Sequence, residues 1–145
     1  MAHPFKTILC PLDFDDNSMA ALRTAANLTR DYNATLYLLH VVLGLSEKES
    51  DQLYAAERAE AENKLKAAAQ QCLEGVAAHV ISRAGLPAHV IVDEALKLNA
   101  DLIVMATHGR KGLQHLILGS IAEHVIRNSP VPVMTIRPQK AATDD

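Results

Sequence analysis

Short, nearly continuous apolar runs alternate along this chain with stretches whose apolar residues recur at helical spacing. "FKTILCPL" predicts a first strand. "SMAALRTAANLTRDY" predicts a helix, with Asp16 or Asn17 as N-cap and Ala20, Leu22, Ala25 and Leu28 on its inner face. "ATLYLLHVV" is apolar almost throughout, as expected of a parallel strand covered on both faces. From Ser46 to about Leu73 the chain is rich in Ala, Glu, Lys and Gln, and Tyr54, Ala61, Leu65, Ala68 and Cys72 form one narrow stripe, which predicts a long, mostly exposed helix. "AAHVISRAG" predicts a third strand and "LPAHVIVDEALKLN" a helix with Pro87 in its first turn. "ADLIVMATH" is a fourth strand, "SIAEHVIRNS" a short helix ending before Pro130, and "VPVMTIRP" the last strand. This βαβαβαβαβ order calls for an α/β fold, an open, doubly wound parallel sheet of five strands with helices on both faces.

With 145 residues, of which 49% are apolar and 21% charged, the sequence suits one soluble domain with a substantial core. We expect residues 1–138 to form that domain and 139–145, "QKAATDD", a polar tail. The formal charge of −3 and the lack of any basic cluster longer than Arg110-Lys111 argue against a nucleic-acid binder. The apolar run "ATLYLLHVVLGL" is shorter than the ~20 residues a membrane span needs, and the start of the chain shows no signal-peptide pattern, so a cytoplasmic protein is expected. Cys10 and Cys72 match no zinc spacing and read as reduced thiols, with Cys10 buried in a strand. No two of the seven histidines have the spacing of a local metal-ligand pair.

In an open parallel sheet, ligands bind outside the carboxyl ends of strands where the strand order reverses. Two such ends stand out here: "CPLDFDD" after the first strand and "MATHGRKG" after the fourth. If these strands are neighbours, both loops border one crevice. The second loop continues as "ATHGRKGLQHLILGS", with Gly109, Gly112 and Gly119 where backbone can approach a ligand closely, and with Ser120 where a helix begins. It lacks the lysine of a GxxxxGK[ST] loop, and the first strand is followed by no GxGxxG, so neither standard nucleotide fingerprint is present.

The segments "ILCPLDFDDNSMAAL", "LLHVV", "AGLPAHVIVDEA", "ADLIVMATHGRKGL", "LGSIAEHVI" and "PVPVMTIRP", together spanning about Phe5 to Pro138, resemble the universal stress protein family in its single-domain, ATP-binding branch. That branch carries G-x2-G-x9-G-[S/T]; here Gly109, nine residues, Gly119 and Ser120 match, and Ala106 replaces the first glycine. The resemblance implies a Rossmann-like sheet of strand order 3-2-1-4-5 and an ATP site. In that site the amides of Ser120 and Ile121 would face phosphate, and Gly109 would allow close approach. Arg110 or Lys111 could offset remaining charge, His108 beside Gly109 could approach a phosphate, and Gly112 would belong to the same loop. Gly119 is expected in a conformation that suits only glycine. Asp13 corresponds to the acidic residue near the ribose, Pro11 and Leu12 to the wall beside it, and Val41 to the position whose backbone reads the adenine edge. Mg²⁺ would accompany the phosphates, with Asp13, Asp15 and Asp16 as carboxylates that could help to hold it. The resemblance also implies a homodimer through the last strand, residues 131–137, and the exposed apolar edge of Val131, Val133, Met134 and Ile136 fits such pairing.

Ser120 and His124, four apart on one helix, have the spacing of a nucleophile and base on one face, but no GxSxG elbow or orienting acid accompanies them. Ser120 is instead expected to cap the helix or bind phosphate. The leading expectation is an ATP-binding regulatory module that passes its nucleotide state to a protein partner. A slow ATP hydrolase or phosphotransferase using the same crevice, and an interaction protein without nucleotide, remain as alternatives.

Overall fold

The computed structural model describes residues 5–44, 54–72, 74–107 and 118–137. Its elements run in chain order as β1 (Thr7–Pro11), α1 (Asp16–Tyr32), β2 (Thr35–Leu43), α2 (Ala55–Cys72), β3 (Ala78–Gly85), α3 (Pro87–Lys97), β4 (Leu102–Ala106), α4 (Ser120–Asn128) and β5 (Val133–Ile136). The strands form one parallel sheet in the order β3-β2-β1-β4-β5. This is the expected doubly wound arrangement, and β1 and β4 are neighbours in it.

Each central strand feeds two cores because successive side chains leave a strand on opposite faces. Ile8, Cys10, Leu36, Leu38, Leu102 and Val104 pack on one side, with Leu22 and Ala25 of α1 and Leu65 and Ala68 of α2. Leu9, Leu39, Ile103 and Met105 pack on the other, with Ile91 and Ala95 of α3 and Ala122 and Val125 of α4. Burying a side chain such as Leu65 contributes about 1.5–3 kcal/mol, so the narrow stripe of α2 suffices to dock it. Of that predicted stripe, Ala61, Leu65 and Ala68 are buried and Tyr54 is half-buried. The predicted stretch from 46 to 53 lies outside the described residues, and so does the side chain of Cys72.

The cap of α1 differs from expectation. It is Asp15, not Asp16 or Asn17: Asp15 has extended backbone, and its Oδ1 accepts from the Ser18 amide at 2.7 Å. Ser18 in turn accepts from the Asp13 amide at 2.9 Å through its Oγ. Phe14 selects this register by adopting φ 63°, a left-handed turn that ends the run from β1 and presents Asp15 to the helix.

The two sheet edges are finished differently. On β3, the outward carbonyl of Ser82 accepts from Arg58 Nε and Nη2 of α2 and from Arg83 Nη1, which occupies the edge with guanidinium groups. Arg83 also pairs through Nε, at 2.8 Å, with the buried carboxylate of Glu94 on α3. Along β5, the carbonyls of Ile136 and of Pro132 just before the strand accept from Thr107, just beyond β4, and from Ile103 of β4, so the even-numbered residues turn their backbone inward and Val133 and Thr135 turn theirs to the outer edge.

A cleft at the carboxyl ends of the central strands

The cleft forms where β1 stops short of β2. Leu12 donates its amide to the Leu39 carbonyl at 2.8 Å, the last rung between these strands, whereas Gly44 donates to Gly85 on the other side. Strand backbones alternate in direction, so Leu39, Val41 and Leu43 face β1 while His40, Val42 and Gly44 face β3. Because β1 ends at Pro11, the N–H and C=O of Val41 project past its end.

Beyond β1 the chain is pinned on both sides. The Leu12 carbonyl accepts a 2.7 Å hydrogen bond from His40 Nδ1, which places a proton on that nitrogen and fixes the ring's orientation. The Asp13 amide is held by Ser18, as described above. Phe14 lays its ring against the His40 imidazole at 4.7 Å, and Lys64 Nζ lies 5.7 Å from the centroid of the same ring.

At the end of β4 the chain leaves at Thr107 and returns at Gly119, whose amide donates to the Thr107 carbonyl at 2.7 Å. Gly119 is the N-cap of α4, with φ −73° and ψ 166° and no side-chain cap. The expectation of a glycine-only conformation is therefore corrected, since extended backbone of this kind is open to any residue. The expectation that Ser120 caps the helix is corrected too: it is the first helical residue, exposed, one position past the cap. The first intrahelical bond runs from the Glu123 amide to the Gly119 carbonyl, which leaves the amides of Ser120, Ile121 and Ala122 as the helix's orphan donors.

These strand ends enclose a cleft of about 620 Å³, within the usual range for a small-molecule site. Asp13, Val41 and Ile121 line it together. Pro11 and Leu12 stand behind that wall, Leu12 with its side chain buried in the core. Ala106 is buried at the end of β4. His108, Gly109, Arg110 and Gly112 lie outside the described residues, between the joined ends Thr107 and Gly119. Of the three aspartates weighed for Mg²⁺, Asp13 alone is among the residues that line this cleft; Asp15 caps α1 and Asp16 is exposed in its first turn.

Several lining residues carry no signal in the sequence. His40 reads there as a strand position, Phe14 only as part of the loop after the first strand, and Glu57, Glu60 and Lys64 as one solvated helix face; the packing of α2 over the strand ends turns that face to the cleft. Lys64 is paired with Glu60 at 3.5 Å. With Asp13, Glu57 and Glu60 the α2 side is acidic and repels phosphate, while the N-terminus of α4 carries the positive end of a helix dipole. Among the described residues the cleft is thus polarised, with Lys64 offsetting part of the acidic side, and an anionic group is favoured at the α4 end.

No catalytic pairing of Ser120 with His124 is formed: the His124 ring packs instead on His89 of α3, with centroids 4.7 Å apart. Among the described residues there is no group of three or more His, Cys, Asp or Glu side chains placed to hold a metal, and no helix long and apolar enough to cross a membrane.

The sequence profile of the universal stress protein family matches residues 4–137. Universal stress protein MJ0531 of Methanocaldococcus jannaschii is 37% identical over 145 residues, covering 94% of this chain and 84% of the relative. Among solved structures, MJ0577 of the same organism superposes with a TM-score of 0.81 at 28% identity, over 94% of this chain and 99% of that one. The structure of a universal stress protein from Archaeoglobus fulgidus in complex with dAMP superposes with a TM-score of 0.57 at 25% identity, over 94% of this chain and 99% of that one.

Proposed function

The chain belongs to the universal stress protein family, and on that footing we propose that it is an ATP-binding regulatory module that reports its nucleotide state to a protein partner. The observation that carries the reading is the polarised cleft, in which Asp13, Val41 and Ile121 meet at the carboxyl ends of adjoining strands. Its size suits a nucleotide, and the adenine nucleotide held by the Archaeoglobus relative supports that chemistry. The backbone N–H and C=O of Val41 offer one donor and one acceptor side by side, which suits the N1 and N6 edge of adenine and opposes that of guanine. The Asp13 carboxylate would accept from ribose hydroxyls. Phosphates would lie at the N-terminus of α4, on the amides of Ser120 and Ile121 and the Ser120 hydroxyl, at the end farthest in charge from Glu57 and Glu60.

The Thr107–Gly119 hydrogen bond joins the ends of the glycine-rich segment, and in this reading His108, Gly109, Arg110 and Gly112 would meet the phosphates, with Mg²⁺ neutralising part of their charge. Ala106, buried beneath that loop's start, would affect the loop through packing rather than contact. In this reading two copies of the chain join through β5. The test is mass spectrometry of nucleotide released from freshly purified protein, followed by equilibrium binding of ATP and GTP to the stripped protein. We expect released adenine nucleotide or, from an empty site, ATP binding well ahead of GTP. Neither nucleotide bound in either experiment would overturn the proposal.

A further inference from the structure

We propose that His89 and His124 form a two-imidazole site for a divalent transition-metal ion of the Zn²⁺ or Cu²⁺ kind, bridging α3 and α4. This stands apart from the nucleotide reading. The two residues are far apart in the sequence, and neither has a second histidine at ligand spacing on its own helix; the packing of α3 against α4 brings their rings to 4.7 Å at an interplanar angle of 65°. A metal bound to imidazole nitrogen at about 2.0–2.1 Å sits about 3.2 Å from the ring centroid, so two rings in adjacent coordination positions have centroids about 4.5–5.2 Å apart. The observed separation falls in that window, and because the rings pack edge to face, a ring rotation is needed to aim both nitrogens at one ion.

The two histidines differ in freedom, as a site that must admit an ion requires. His124 is half-buried against α3, while His89 is exposed and can turn about its outer torsion to bring a nitrogen to the shared point. Of the nearby carboxylates, Glu123 is engaged by Arg127 at 2.7 Å and Glu94 by Arg83, while Asp93, exposed one helical turn from His89, is a further oxygen donor within reach of the site. Imidazole selects against Mg²⁺ and Ca²⁺, which prefer oxygen, and favours Cu²⁺ and Zn²⁺. Water or an external ligand would complete the coordination sphere. The site also touches the cleft's frame, since Pro87 and Ile121, both cleft-lining, stand in the first turns of these same helices.

The experiment is a titration of the full chain with Zn²⁺ by calorimetry and with Cu²⁺ by electron paramagnetic resonance, on wild type and on His89→Gln and His124→Gln, with folding checked by circular dichroism. We expect the wild type to bind one ion through two imidazole nitrogens, and each single variant to weaken binding by at least about tenfold and show one nitrogen fewer. His89 is exposed, so its variant keeps the test valid even if His124→Gln fails to fold. Binding unchanged in a folded His89→Gln protein would place the ion on other histidines and overturn the proposal, as would the absence of Zn²⁺ and Cu²⁺ binding to wild type.

Discussion

The Gly119 amide donates a 2.7 Å hydrogen bond to the Thr107 carbonyl, which ties the start of α4 to the end of β4. One short contact therefore fixes both ends of the glycine-rich loop and aims the helix's unpaired amides from the sheet edge of the cleft. Gly119 has an ordinary extended backbone there, so a side chain at this position meets no backbone strain.

This leads to an opposed pair of effects for Gly119→Asp. A carboxylate at the N-cap can accept from the first-turn amides and meets the positive end of the dipole, so the helix gains about 0.3–1 kcal/mol. The same carboxylate occupies the anion position and repels phosphate. Thermal unfolding without ligand should show equal or higher stability, while ATP affinity falls by an order of magnitude or more. A folded Gly119→Asp protein with wild-type ATP affinity would place the phosphates elsewhere.

Asp13 offers a test of which part of the nucleotide it meets. A hydrogen bond to a charged group is worth about 1.5–3 kcal/mol, so Asp13→Ala should lower ATP affinity by roughly tenfold to a hundredfold. If the carboxylate accepts from ribose hydroxyls, 2′,3′-dideoxy-ATP should bind wild type as weakly as ATP binds the variant. The two losses should then not add when combined. Full additivity in calorimetric titrations would remove Asp13 from the ribose.

Legibility from sequence tracks how local the cause is. β2 and β4 announce themselves because a strand buried on both faces must be apolar at every step, and the crevice follows from β1 and β4 lying side by side. The α1 cap, Asp15, lies one or two residues before the expected Asp16 or Asn17 because all three residues are good caps; the left-handed turn at Phe14 decides among them. Contacts made across elements leave no periodic trace. His40 bonding to Leu12, the acidic wall from α2, and His89 meeting His124 all depend on how helices dock, and residue spacing along one helix carries no information about that.

Cys10 supplies a pH signature of the core. Burial pushes its thiol up to about 12 from the ordinary 9.0, because the charged thiolate has no water to stabilise it. The unfolded chain therefore releases this proton at lower pH than the folded one. The stabilising difference is complete below about pH 9 and is lost progressively toward about pH 12, at about 1.4 kcal/mol per pH unit. Urea unfolding of wild type and Cys10→Ala across that range should show wild type losing stability more steeply by that slope. Parallel curves would mean that Cys10 ionises alike in both states. At neutral pH the same burial predicts that native Cys10 resists alkylation until the protein unfolds.

The outer edge of β5, which no strand pairs among the described residues, makes the homodimer testable at a single residue. Pairing by a twofold axis would lay the strand antiparallel against its copy, and the groups available for it are those of Val133 and Thr135, because Pro132 and Ile136 spend their carbonyls on β4. Pro132 lacks an N–H, and its backbone faces inward, so it does not impair the outer edge. Val133 and Ile136 are half-buried in the single chain, which leaves apolar surface for a partner to cover. Proline at Thr135 removes an outward donor and should leave the rungs to β4 in place, whereas proline at Met134 would break an inward one and confuse dissociation with unfolding. Light scattering at micromolar concentration should give twice the chain mass for wild type and a shift toward the single-chain mass for Thr135→Pro, with the circular dichroism spectrum retained. A wild type that stays at the single-chain mass, or a folded Thr135→Pro protein that dimerises as tightly, would move the interface away from β5.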